Sequence, residues 1–256
     1  MLILENHEKK KIMCAVFDFD GTISTLRCGW ESVMEPLMLE CIFGDRYTEE
    51  NVKEVRDYIA ASTGIQTILQ MKWLAERVAA EGKTPLDPWE YKAEYNRRLM
   101  INVKKRCADA KAGNKDKYIM KGAVRFLEAL RAKGIKMYAA SGTDEADVKN
   151  EAAILGIDVY FDEIAGAKPK SEDCSKEATL NRLISQGEGG LLVVGDGPVE
   201  IRLGKAAGAC TLGICGKEKE LCGMDDVKVK RLTSAGAHAL IDCFENCDEI
   251  LCWMED

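Results

Sequence analysis

Hydrophobic positions change rhythm twice along this chain, and the changes divide it. Ile12-Met-Cys-Ala-Val-Phe17 is an unbroken apolar run that stops at Asp18-Phe19-Asp20-Gly21-Thr22. A short run of this kind ending in a turn predicts a strand covered on both faces, as in a parallel sheet. From Ile23 to about Lys117 the strand-like runs vanish, and apolar residues recur at helical spacing. They form the sets Trp30-Val33-Met34-Leu37-Met38-Cys41, Val52-Val55-Ile59, Ile65-Ile68-Leu69-Trp73 and Tyr91-Tyr95-Leu99-Val103, punctuated by Gly64 and by Gly82 to Pro88. After Gly122 helix and strand alternate. A helix through Val124, Phe126, Leu127 and Leu130 closes at Lys133-Gly134, and a strand starts at Ile135. A helix from Asp144 to Leu155, a short strand at Val159-Tyr-Phe161, a helix from Asp173 to Gln186 and a turn at 187–190 follow. Then come the Leu191 strand, a helix from Pro198 to Ala207, a strand at Cys210–Ile214, a loop, a strand near His238–Ile241 and a helix to Trp253. Alternation with short turns predicts an α/β protein with a doubly wound parallel sheet. An all-helical segment is inserted after its first strand, so residues 1–22 and 118–256 make one unit and 23–117 another. Residues 1–11 read as a polar lead-in.

Composition narrows the functional classes. A chain of 256 residues, 46% hydrophobic, buries a sizeable core. A net charge of −7 and a pI near 5.2 argue against nonspecific binding to nucleic acid or membrane surfaces. No stretch approaches the ~18 apolar residues of a membrane span, and the N-terminus lacks a signal-peptide pattern; a soluble, cytoplasmic protein is expected. The eleven cysteines, odd in number and without a Cys-x-x-Cys pair, read as reduced, mostly buried small residues. Cys243, Cys247 and Cys252 suit one helical face better than a zinc site. With His7 and His238 the only histidines, acid–base chemistry falls to carboxylates.

In an extended chain residues two apart point the same way, so Asp18 and Asp20 can share one crevice. Two like charges held together cost free energy unless a cation joins them or one carboxyl is protonated. Asp-Gly is equally a common turn pair, which leaves an acidic turn capping a helix as the plain alternative. Three later stretches end strand-like runs in the same manner: Ala140-Ser141-Gly142, Gly166-Ala-Lys168-Pro169 and Gly195-Asp196-Gly197-Pro198-Val-Glu200. Singly each has a structural reading. Ser141 can cap the helix near Asp144, Lys168 can be an exposed turn lysine with Lys170 as its rival, and Asp196 can mark a strand-to-helix turn.

Taken together and in this order, Asp-x-Asp-Gly-Thr, Ser, Lys and Gly-Asp-Gly-x-x-Glu resemble the haloacid dehalogenase (HAD) superfamily of phosphohydrolases. The resemblance covers the first twenty-odd residues and most of the chain from about Tyr118. It implies a HAD-like, Rossmann-type core and a helical cap that closes over the site. It implies Asp18 as nucleophile forming an aspartyl phosphate, and Asp20 as general acid and then base. Ser141, the Gly142 amide and Lys168 would hold phosphoryl oxygens, with Thr22 nearby. Mg²⁺ would be bound by Asp18, the Asp20 backbone carbonyl and Asp196. Glu200 stands where many members have Asp; being longer by a methylene, it leaves open whether it binds the metal or metal-bound water.

The expected substrate is a small soluble phosphate monoester, chosen by the cap. Ser62-Thr63-Gly64-Ile65-Gln66-Thr67 is the best contacting loop, with Thr63, Gly64 and Gln66 as candidates, although an ordinary helix start fits the same residues. Arg97-Arg98 and the basic run Lys104–Lys121 read as solvated faces that could also steer an anion. The intact second aspartate, Asp20, disfavours a dehalogenase or phosphonate hydrolase. A sugar phosphomutase carries the same four motifs, and a non-catalytic binding protein on this scaffold is the alternative from another class.

Overall fold

The computed structural model describes residues 1–7, 10–171, 175–185 and 189–255. A two-residue strand, β1 (Leu2–Ile3), precedes the apolar run, which becomes β2 (Ile12–Phe17). Four helices follow with no strand between them: α1 (Glu31–Phe43), α2 (Glu49–Ala61), α3 (Thr67–Ala80) and α4 (Pro88–Asp109). The alternating part begins with α5 (Ala123–Ala132), β3 (Lys136–Asp144), α6 (Glu145–Leu155) and β4 (Glu163–Ala167). It continues through α7 (Ser175–Ser185), β5 (Gly190–Gly195), α8 (Pro198–Ala206) and β6 (Cys210–Ile214). A ribbon of β7 (Gly216–Lys217) and β8 (Cys222–Met224), then α9 (Asp226–Ala235), β9 (Ala239–Ile241) and α10 (Cys247–Glu255), complete the chain.

The main sheet has the order β1-β9-β6-β5-β2-β3-β4, parallel except for β1. β2 lies between β3 and β5, with Phe17 opposite Ala139 on one side and Val194 on the other. This register brings the carboxyl ends of β2 and β5 level, with β3 running on past them to Asp144, at the edge where open α/β sheets place ligands. Central position explains why β2 is apolar without alternation: helices cover both its faces. Phe17 meets Phe126 edge-on at 6.2 Å between ring centroids, and Phe126 stacks on Phe244 at 5.2 Å. All three rings are fully buried. Phe126→Ala is therefore expected to lower stability by about 3–5 kcal/mol, read from the midpoint of a urea titration.

The helical insertion has an apolar cluster of its own, built on Met34, Leu37, Met38, Met71, Leu74 and Tyr95. Its helices start where polar caps allow. Thr48 and Asn51 form a reciprocal capping box for α2, and Asp87 and Glu90 do so for α4, with Pro88 at the first helical position.

Several expectations shift. The lead-in is not wholly irregular, because Leu2–Ile3 pairs antiparallel with β9 as an edge strand. Val159-Tyr-Phe161 is not a strand: Asp158–Tyr160 forms a 3-10 turn and β4 starts at Glu163. A three-residue apolar run carries too little periodicity to separate the two. Of the helix expected at 173–186 and the turn at 187–190, residues 173, 174 and 186–188 lie outside the described residues. All ten described cysteines are free thiols.

Candidate active site

The Asp18 amide donates to the Val194 carbonyl at 2.8 Å, so the chain leaves β2 still tied to β5. The Asp18 side chain is 6% exposed, and its two oxygens have separate partners. Thr22 Oγ1 donates to Oδ2 at 3.1 Å, and Lys176 Nζ lies 2.8 Å from Oδ1. Gly21, with φ of 79°, turns the chain where a Cβ would strike the Asp196 carboxylate. Only glycine lets the two loops approach so closely.

Asp20 follows on the same side. Its Oδ2 accepts from Ser141 Oγ at 3.0 Å and Thr143 Oγ1 at 2.9 Å, whereas Oδ1 is buried with no hydrogen-bond donor. One oxygen is thus anchored and the other is available to a proton in transit. Ser141 is spent on this anchoring and on the Thr143 amide. It does not cap α6, whose N-cap is Asp144 without a side-chain cap bond.

Asp196 and Glu200 come from the turn between β5 and α8. Oxygens of Asp18, Asp196 and Glu200, all three buried, lie within 4.8 Å of one another. Glu200 Oε1 accepts from the Gly197 amide at 2.6 Å, and Oε2 accepts from Lys176 Nζ at 3.0 Å. Asp196 Oδ2 accepts from Lys228 Nζ at 2.7 Å, and Lys228 also reaches Glu218 at 3.1 Å. Burial pushes the Asp18 carboxyl well above the usual range; Lys176 pulls it down, while Glu200, Asp196 and Asp20 push it up again. Burial works against the charge on Lys176, yet Asp18 and Glu200 outweigh it and hold its pKa above that of an ordinary lysine. Three carboxylates at this spacing offer hard oxygen donors that could hold a magnesium ion.

Lys168 does not come to this cavity. It sits in an exposed turn just past β4 and lines a surface groove with Glu145, Glu163 and Arg182. The lysine that reaches Asp18 is Lys176, in the first turn of α7 and 3% exposed. A signal for it was present: Lys176 shares one helical face with Thr179, Leu180 and Leu183, all buried. A lysine on an apolar stripe must find a partner inside.

The insertion covers the cavity from above. Thr63 and Gly64 line it, together with Trp30, Ile65, Thr67, Gln70, Tyr95 and Leu99. Gln66 is 1% exposed and does not line it. Gly142 lies under the loop so closely that a Cβ would come within 2.6 Å of the Ile65 carbonyl oxygen. The cavity offers about 80 Å³. Arg27 was not singled out from sequence. It is 7% exposed, holds Glu151 through Nε and Nη2 with the shortest contact 2.6 Å, reaches Asp147 at 3.3 Å, and lies 3.9 Å from Asp20 Oδ1.

Several of the remaining basic candidates are engaged elsewhere. Arg97 and Arg98 pair with Glu94 at 2.7 Å each, and Arg98 also with Glu40. In the 104–121 run, Arg106 donates to the Leu26 and Cys28 carbonyls, and Lys117 lies 3.6 Å from Asp109. No helix among the described residues is long and apolar enough to cross a membrane.

Solved structures share this architecture. A predicted phosphatase from Clostridium acetobutylicum superposes with a TM-score of 0.62 at 15% identity, covering 94% of this chain and 98% of that one. A β-phosphoglucomutase from Clostridium difficile gives 0.63 at 17% identity, covering 95% and 97%. A predicted phosphoglycolate phosphatase from Haemophilus somnus gives 0.60 at 16%, covering 94% and 98%. At such identities these likenesses speak for the fold. No curated protein matches in sequence. The family match spans residues 12–208, from the first residue of β2 past the Asp196–Glu200 turn, and with it the chain belongs to the haloacid dehalogenase-like hydrolases.

Proposed function

We propose that this protein is a magnesium-dependent phosphatase that hydrolyses a small soluble phosphate monoester through an aspartyl phosphate on Asp18. The observation that carries the reading is one cavity lined by Asp18 and Asp20 from the turn after β2, Ser141 from β3, Lys176 from α7 and Asp196 from the turn after β5. Asp18 attacks phosphorus, forming a carboxyl–phosphate bond as the ester P–O bond breaks. Asp20, protonated on Oδ1, delivers that proton to the departing alkoxide. It then takes a proton from the water that attacks the aspartyl phosphate, which restores both carboxyl groups. Ser141 and Thr143 hold Asp20 in one rotamer through both steps. Lys176 offsets negative charge on the phosphoryl oxygens. A bound Mg²⁺, held by Asp18, Asp196, Glu200 and the Asp20 backbone carbonyl, would supply further charge neutralisation. The insertion, residues 23–117 against 1–22 and 118–256, acts as the cap that admits substrate and then excludes water.

Phosphate release from p-nitrophenyl phosphate tests the reading. Activity is expected to require Mg²⁺, to vanish with a chelator and to return on adding the ion back. A sugar phosphate converted to its isomer without free phosphate would make the protein a phosphomutase. No turnover across a broad ester panel would make it a binding protein.

A further inference from the structure

Resting on that reading, we infer that the leaving-group half of the cavity takes an uncharged, hydroxyl-bearing group, such as a polyol or sugar, and rejects one carrying a carboxylate or a second phosphate. The cap side of the cavity presents Trp30, Thr63, Thr67, Gln70 and Tyr95 among its described lining, with Ile65 and Leu99 as apolar wall and Arg27 as the one charged side chain. Gln70 and Tyr95 are each 4% exposed. Gln70 Nε2 donates to Ser62 Oγ at 3.1 Å, which leaves the amide with a second N–H and an acceptor oxygen. Hydroxyls and an amide beside two aromatic rings suit a ligand with its own hydroxyls and apolar C–H faces.

The cations that line the cavity are committed. Lys176 holds Asp18 and Glu200 at the phosphoryl end. Among the described lining, Arg27 is the one cation toward the cap, and it meets two carboxylates, Glu151 at 2.6 Å and Asp147 at 3.3 Å, with Asp20 at 3.9 Å. Two carboxylates already hold this guanidinium, so a carboxylate on the leaving group would be desolvated without a free cation among the described lining to meet it. A buried anion without a partner is strongly disfavoured, whereas a neutral hydroxyl meets the threonine, glutamine and tyrosine groups at no such cost.

Glycerol 3-phosphate and 2-phosphoglycolate compare the two classes at similar size. The ratio of kcat/KM values is expected to favour the glycerol ester by roughly 10- to 100-fold, the usual consequence of leaving a buried polar group unpaired. A ratio below that range overturns the inference. Releasing Arg27 in the double variant Asp147→Asn/Glu151→Gln should shift the ratio toward phosphoglycolate, as should Gln70→Arg if the double variant does not fold. An unchanged ratio in the variant that folds overturns the role given to Arg27. Should neither ester turn over, calorimetric affinities of the same two esters for Asp18→Asn with Mg²⁺ read the same preference. Turnover of p-nitrophenyl phosphate separately reports whether the phosphatase reading stands.

Discussion

Asp18→Asn is expected to cut phosphate release by roughly 10⁴-fold or more, the scale seen when a covalent nucleophile is removed. Asparagine keeps the shape of the side chain and can still accept from Thr22, but it cannot form an acyl phosphate. The replacement also removes a charge from a buried cluster where burial already disfavours the ionised carboxyl, so the protein should stay folded; its melting temperature checks this. Mass spectrometry of acid-quenched enzyme should find a phosphoryl adduct in the wild type and none in the variant. Activity within tenfold of wild type in a folded Asp18→Asn protein would remove Asp18 from the chemistry.

The second large effect separates two lysines. Lys176→Met is expected to lower kcat by about 10²–10³-fold, the usual loss when one preorganised group facing developing charge is deleted. Lys168→Met, a change in an exposed turn, should leave the rate close to wild type. The Lys176 variant leaves Asp18 and Glu200 facing each other without their shared cation, so a shift in thermal stability is expected alongside. The reverse pattern, with Lys168 essential and Lys176 dispensable, would mean that the loop after β4 brings Lys168 inward during turnover.

Both lysines show why part of the site could be read early and part could not. Lys168-Pro169 matches a family pattern that is local in sequence, and the match carries no information on which way the turn faces. Lys176 carries no local motif, but it breaks the apolar stripe of α7, as Glu151 breaks that of α6 and Lys92 that of α4. Each of these charged residues is buried and paired across elements: Lys176 with Asp18, Glu151 with Arg27, and Lys92 with Asp144. A charge on a buried stripe announces that a partner exists and says nothing of where it lies. Gln66 failed as a cavity residue for a related reason, since a helix N-terminus has several exits and only packing selects one.

Sequence periodicity by itself determined the alternating core, the helical insertion and the strand-end positions of Asp18 and Asp196, because each depends on neighbours within a few residues; the strand expected to end at Ser141 instead runs on to Asp144. Choosing Lys176 over Lys168, bringing Glu200 into the acidic cluster and locking Arg27 between Glu151 and Asp20 were left to the tertiary structure. Those outcomes depend on contacts across scores of residues, where the cost of burying a charge is met only once distant segments are packed together.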